Sequence, residues 1–140
     1  MRSIRRLNLA ALTMAMVTLA GCEVEGPVFK PMALPSTKAI IYVYRPYHYI
    51  GSIEEPEITC GSDTIAIGAG GYHAFVEEPG TMKCYAATAP GNPISFAARP
   101  ETDYFVRELV SVTLTASQVT LTKVDRTIGL DEIESTRTPQ

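Results

Sequence analysis

Between Lys38 and Val124 the apolar residues never keep a helical period. They fall in short runs cut by glycine and proline at roughly ten-residue intervals, the rhythm of an all-β sandwich or small barrel. Ala39-Ile40-Ile41-Tyr42-Val43-Tyr44 is apolar on both sides of its zigzag, which suits a central strand covered on both faces. Arg45-Pro46 ends it, because proline has no N–H for a ladder. Glu57 to Cys60 and Thr64 to Ile67 flank a turn at Gly61-Ser62-Asp63, and Ile65 and Ile67 share a face. Gly68-Ala69-Gly70-Gly71 reads as a tight hairpin bend. Tyr72 to Glu77 closes at Glu78-Pro79-Gly80, and Thr81 to Thr88 then places Met82, Cys84 and Ala86 on one side. Ile94 to Ala97, Tyr104 to Val112 and Val119 to Val124 complete the set. The expected fold is a small antiparallel β-sandwich of seven or eight strands over residues 38–134. One short helix is expected over Asp125 to Glu134, with Ile128 and Ile133 inward.

Upstream, the pattern changes. Arg2, Arg5 and Arg6 precede an apolar run from Leu7 to Ala20 that ends in small residues, as a secretory signal does. The run is shorter than the roughly 20 apolar residues of a comfortable transmembrane helix. A buried core helix is the alternative, but three arginines and no helix cap precede the run. Leu19-Ala20-Gly21-Cys22 resembles the bacterial lipobox. That resemblance implies a signal peptide over residues 1–21, cleavage before Cys22, a thioether-linked diacylglycerol on its sulfur and acylation of its new amino terminus. Two or more acyl chains hold a protein stably on a bilayer where one does not. Residue 23 is Glu and not the Asp that retains such proteins at the inner membrane, so the implied location is the outer membrane, facing the periplasm.

Counted from Cys22, the chain has 119 residues, enough for one core, and 9 basic against 15 acidic residues. That balance, without a basic run, argues against nucleic acid as a partner and against electrostatic docking of the domain on anionic lipid. The lipid on Cys22 is then the expected membrane attachment. From Glu23 to Thr37, Pro27, Pro31 and Pro35 recur every four residues. Such spacing favours a semi-rigid extended chain, so residues 22–37 read as a tether holding the domain off the membrane. An edge strand around Val28 and Phe29 is the alternative. Residues 135–140 read as a flexible tail.

With Cys22 committed to lipid, Cys60 and Cys84 remain. An even number in an oxidising space reads as a disulfide, and both side chains share faces with apolar neighbours. The alternative is two buried free thiols. No partner ligands sit at metal spacing, and no metal or small-molecule cofactor is expected.

The chain carries no persuasive catalytic set. His48, Ser52 and Asp63 make a triad only on paper, since no nucleophile elbow exists. Glu54, Glu55 and Glu57, or Glu77 and Glu78, could supply paired carboxylates for a cell-wall hydrolase, but adjacent glutamates in turns are usually solvated surface. The loop Arg45-Pro46-Tyr47-His48-Tyr49-Ile50-Gly51-Ser52 concentrates residue types that favour protein contacts, so Arg45, Tyr47, His48 and Tyr49 are the candidate partner-binding residues. The alternative is that its tyrosines fold back on the sheet.

Lys38 to Pro46, then Gly51-Ser52 and Pro56, resembles the opening of domain of unknown function family 2846. Gly71 to Glu77, Pro79-Gly80 and Thr102 to Arg107 are similar to its later strands, so the likeness covers about Lys38 to Arg126. The cysteine pair and the glycine-rich bend depart from that family's pattern. The resemblance implies a small lipoprotein with a β-rich domain and brings no catalytic residue. The expectation is a non-enzymatic envelope lipoprotein that binds an envelope protein or peptidoglycan. An envelope inhibitor or immunity-type lipoprotein acting through residues 45–52 is the alternative.

Overall fold

The computed structural model describes residues 26–48 and 50–138; the signal-like segment, Cys22 and Tyr49 lie outside them. Eight strands and one helix follow in order: β1 (Ala39–Tyr44), β2 (Glu57–Cys60), β3 (Asp63–Ala66), β4 (Tyr72–Glu77), β5 (Gly80–Ala86), β6 (Ile94–Ala98), β7 (Thr102–Val112), β8 (Ser117–Val124) and α1 (Arg126–Ile133). They form two four-stranded sheets, β4-β1-β7-β8 and β3-β2-β5-β6. The fold is the expected all-β sandwich with a short helix after its last strand.

The purely antiparallel expectation is corrected at one ladder. β1 pairs with β4 antiparallel but with β7 parallel, Ala39 opposite Thr102 and Tyr44 opposite Arg107. The physical reason is the route of the chain. After β1 it builds β2 and β3 in the second sheet, returns for β4, builds β5 and β6, and re-enters beside the start of β1. The glycine-rich bend is corrected too. Residues 68–71 are buried and carry the chain between sheets instead of closing a hairpin. The tight hairpin lies between β2 and β3, where Gly61 adopts φ 64°, a conformation glycine takes without Cβ strain.

Alternation along β1 sorts the core into two. Ala39, Ile41 and Val43 face the second sheet and pack with Ile58, Met82 and Val106. Ile40, Tyr42 and Tyr44 face the other way and pack with Phe29, Phe105 and Ile133. The strand is apolar on both sides because both faces are covered.

The outer cover is α1 and the segment that precedes β1. α1 buries Gly129 and Ile133; Ile128, expected inward, is exposed. Gly129 sits where any Cβ would collide with the Phe105 ring. Glu132 of α1 accepts a hydrogen bond from Tyr44 Oη and pairs with Arg107 Nη1 at 2.7 Å, tying the helix to the sheet.

Of the expected tether over residues 22–37, the part upstream of Gly26 lies outside the described residues; from Gly26 on the chain is docked. The Phe29 ring meets those of Tyr42 and Tyr72 edge-on, centroids 5.2 Å apart in each case. Met32 N donates to Tyr42 Oη at 2.8 Å. Val28 bridges to Arg137, and Arg137 bridges in turn to Gly71. The same contacts correct the flexible tail as far as Thr138: Thr136 is fully buried and Thr138 N donates to Pro27 O. Proline spacing reports extended backbone, and extended backbone docks as readily as it dangles.

Candidate functional site

Cys60 and Cys84 stand directly opposite each other in the β2–β5 ladder and form a disulfide, Cα atoms 4.2 Å apart. Backbone bonds from Gly61 N to Lys83 O and from Ala87 N to Glu57 O place this pair at a non-hydrogen-bonded position, where opposing side chains approach most closely. Both cysteines are fully buried, so the bridge is part of the core.

The other notable chemistry lies at the end of the sandwich where β1 stops. Arg45 continues the inward phase of Ile41 and Val43, and it is 3% exposed. It is therefore not the surface contact residue expected from the loop's composition. Its guanidinium is spent on the backbone: Nη1 donates to Glu54 O at 2.5 Å and Nη2 donates to Gly51 O. A longer bond reaches Ile67 O at 3.4 Å. One buried cation thus fixes the two turns of the β1–β2 connection to the approach of the crossover bend.

Glu108 of β7 lies beside it, fully buried, with Oε1 4.0 Å from Arg45 Nη1. Among the described residues neither carboxylate oxygen has a hydrogen-bond partner. Burial pushes the Glu108 carboxyl up to about 8, and the nearby Arg45 offsets only part of that. At neutral pH the side chain is largely protonated, so the pair is an arginine solvated by carbonyls next to a neutral acid, not a tight ion pair. Burial likewise lowers the Arg45 pKa, with Glu108 and then Glu54 and Glu55 acting against it.

Glu54, whose carbonyl binds Arg45, also lines a cleft of about 290 Å³ together with Glu55, Glu57, Thr88, Val110 and Ser117, among others. Ser117 Oγ donates to Glu54 Oε1 at 3.2 Å, joining the loop to β8. A more polar hollow of about 310 Å³ shares Thr88, Ser117 and Val119 with it. Beside the cleft the loop rests on β7: a Cβ on Gly51 would touch Val110 and Val112. Ile50 and Ile53 point outward at 68% and 79% exposure, and Leu114 in the β7–β8 turn is fully exposed. Tyr47 and His48 are exposed as well.

The structure separates the paper triad. His48 and Ser52 are at this end, whereas Asp63 pairs with Cys60 near the opposite end, where Glu77 accepts hydrogen bonds from Ser62. Of the glutamates, Glu54, Glu55 and Glu57 line one cleft while Glu77 and Glu78 stand apart from it. Among the described residues no three His, Cys, Asp or Glu side chains are grouped to hold a metal. The residue of this end that sequence reasoning missed is the buried acid Glu108. Its signal was the alternation Tyr104, Val106, Glu108, Val110, which puts an acid on the inward face.

Compared with known proteins, the chain matches no family model, no curated protein and no solved structure.

Proposed function

We propose that the chain is a lipid-anchored envelope lipoprotein whose domain is a non-enzymatic binding module for an envelope protein or peptidoglycan. The anchor reading rests on the signal-like segment and on the lipobox-like Leu19-Ala20-Gly21-Cys22. The buried disulfide supports it, since such bonds persist in oxidising compartments. The likeness to domain of unknown function family 2846 belongs to the same proposal.

The observation that carries the binding reading is the loop end. Ile50, Ile53 and Leu114 are solvent-exposed apolar side chains beside a carboxylate-lined cleft. The backbone next to Ile50 and Ile53 is held by Arg45 through the Gly51 and Glu54 carbonyls. A rigid exposed apolar surface loses little entropy on binding, which is what a recognition face needs. Neither member of the buried pair beneath the loop is offered for turnover: Arg45 is engaged by backbone carbonyls, and Glu108 is sealed from solvent.

The test is a photo-crosslinking amino acid placed at Ile53 in intact cells, with the same group at Thr64 of β3 as the comparison. A discrete adduct found only from position 53 is the expected result. Identical adduct patterns from both positions would remove the loop end as the partner face.

A further inference from the structure

The docked segment before β1 has a composition unlike the rest of the chain. Residues 26–38 contain no acid and two lysines, of which Lys38 pairs with Glu78 at 3.1 Å, although the chain from Cys22 on carries 15 acidic residues against 9 basic. Phe29 is the plug that faces inward. Val28, Met32 and Leu34 face solvent at 45%, 48% and 39% exposure, and Pro27, Lys30 and Pro31 are exposed beside them. Among the described residues, Lys30 has no acid within 4.0 Å. Neither does the neighbouring Arg137, whose Nη1 donates to Gly26 O. The strip is apolar and cationic, and its backbone is pinned to the sheet through Tyr42, Thr136 and Arg137.

We propose that this strap, residues 26–38, is a membrane-contact face that lays the domain against the bilayer, with Val28, Met32 and Leu34 in the interfacial layer and Lys30 and Arg137 against anionic headgroups. The proposal rests on the lipid-anchor reading of Cys22. Only three residues lie between Cys22 and Gly26, four Cα–Cα steps that reach about 14 Å at full extension. The polar layer of one leaflet is itself roughly 5–8 Å deep, so the strap is confined to the neighbourhood of the surface. Under that confinement a contact too weak to recruit a free protein still forms, because the anchor makes it intramolecular. The occupant is therefore lipid: the anchor holds lipid closer to the strap than any other partner.

The rest of the outer layer sets the tilt. The strap covers Tyr42 and Tyr72 on the β1–β4 side, whereas α1, which carries Asp131 and is followed by Glu134, neither of them in an ion pair among the described residues, covers Phe105 on the β7 side. Anionic lipid attracts the first side and repels the second, so the β4 edge lies down and the helix is lifted. Leu114, in the β7–β8 turn and away from the β1–β4 side that the strap covers, stays in water.

The experiment uses the full chain extracted from membranes, its mass measured first, then reconstituted in vesicles of three parts phosphatidylethanolamine to one part phosphatidylglycerol. Spin labels are placed singly at Met32→Cys, Leu34→Cys, Leu114→Cys and Thr64→Cys. The expected result is an oxygen-to-nickel accessibility ratio several-fold higher at 32 and 34 than at 64 and 114. Labels at 32 and 34 as aqueous as that at 64 would overturn the contact and leave the anchor standing. A mass without acyl chains would overturn both. Protection at 32 that is lost on dilution, with dipolar broadening between labels, would assign the strap to a second copy of the chain and overturn the proposal as well. Two strap positions guard against one substitution disturbing the docking.

Discussion

The two sheets face different surroundings and are held together by different means. Sheet β4-β1-β7-β8 is covered on both sides, by the other sheet within and by the strap and α1 without. Sheet β3-β2-β5-β6 has one covered face, and its central pair of strands is stapled by Cys60–Cys84. A strand packed on two faces is fixed by apolar burial, whereas one packed on a single face gains from a covalent constraint on the unfolded chain. The same contrast appears in the side chains: β1 is buried at all six positions, while β5 alternates exposed and buried.

The largest test of this contrast is a matched pair of truncations. Phe105→Ala opens the outer core of the first sheet and is expected to cost about 3–5 kcal/mol in denaturant unfolding. Phe96→Ala, at a half-buried position of the second sheet, should cost clearly less. Equal losses would mean that the outer layer adds nothing.

Glu108→Gln comes next and works in the opposite direction. The Glu108 carboxyl keeps its proton up to about 8 in the folded chain, against an ordinary value of 4.5. Unfolded molecules therefore release that proton first as pH rises. The native protein loses stability progressively from about pH 4.5 to about pH 8, and below that window the penalty is absent. Glutamine mimics the protonated acid, so the variant should match the native protein near pH 4 and exceed it by up to roughly 4 kcal/mol at pH 8. Thermal unfolding at the two pH values checks this. A constant difference would mean that Glu108 is ionised in the fold.

Reducing the disulfide, or replacing both cysteines by alanine, should cost about 3 kcal/mol for a sequence separation of 24, and most of the cost should fall on the second sheet. Hydrogen exchange that accelerates in β2 and β5 before β1 would bear out that division. The smallest effect is expected at the helix tie. Glu132→Gln weakens the pairing with Arg107 while keeping an acceptor for Tyr44, and a loss of about 1 kcal/mol is expected because both charged side chains are partly exposed.

The elements were legible from sequence because each strand carries its own alternation and each turn its own glycine or proline. What was not legible depends on partners distant in sequence. The β1–β7 ladder is parallel because of the path of 57 intervening residues, from 45 to 101, and no local pattern records that path. The strap docks because Phe29 finds Tyr42 and Tyr72, neither of them a neighbour in sequence. Ile128 and Ile133 are five residues apart, and at 3.6 residues per turn they cannot share one face of a helix. Gly129 is four residues from Ile133, and it is the one that is buried. At the candidate site, composition marked Arg45 as a surface residue, while the phase of Ile41 and Val43 pointed it inward. Phase proved the better guide because a strand's geometry constrains direction more tightly than residue type constrains role.

The docking of the strap also sets an order of events. Arg137, which holds Gly26, lies 111 residues further along the chain. During synthesis the strap emerges before Tyr42, Tyr72 and Arg137, the residues that will receive it. It lies down only once the sandwich behind it has closed, since the intervening loop must be gathered first. Until that moment residues 26–38 are open to whatever acts on an undocked chain, and afterwards they are locked into the fold.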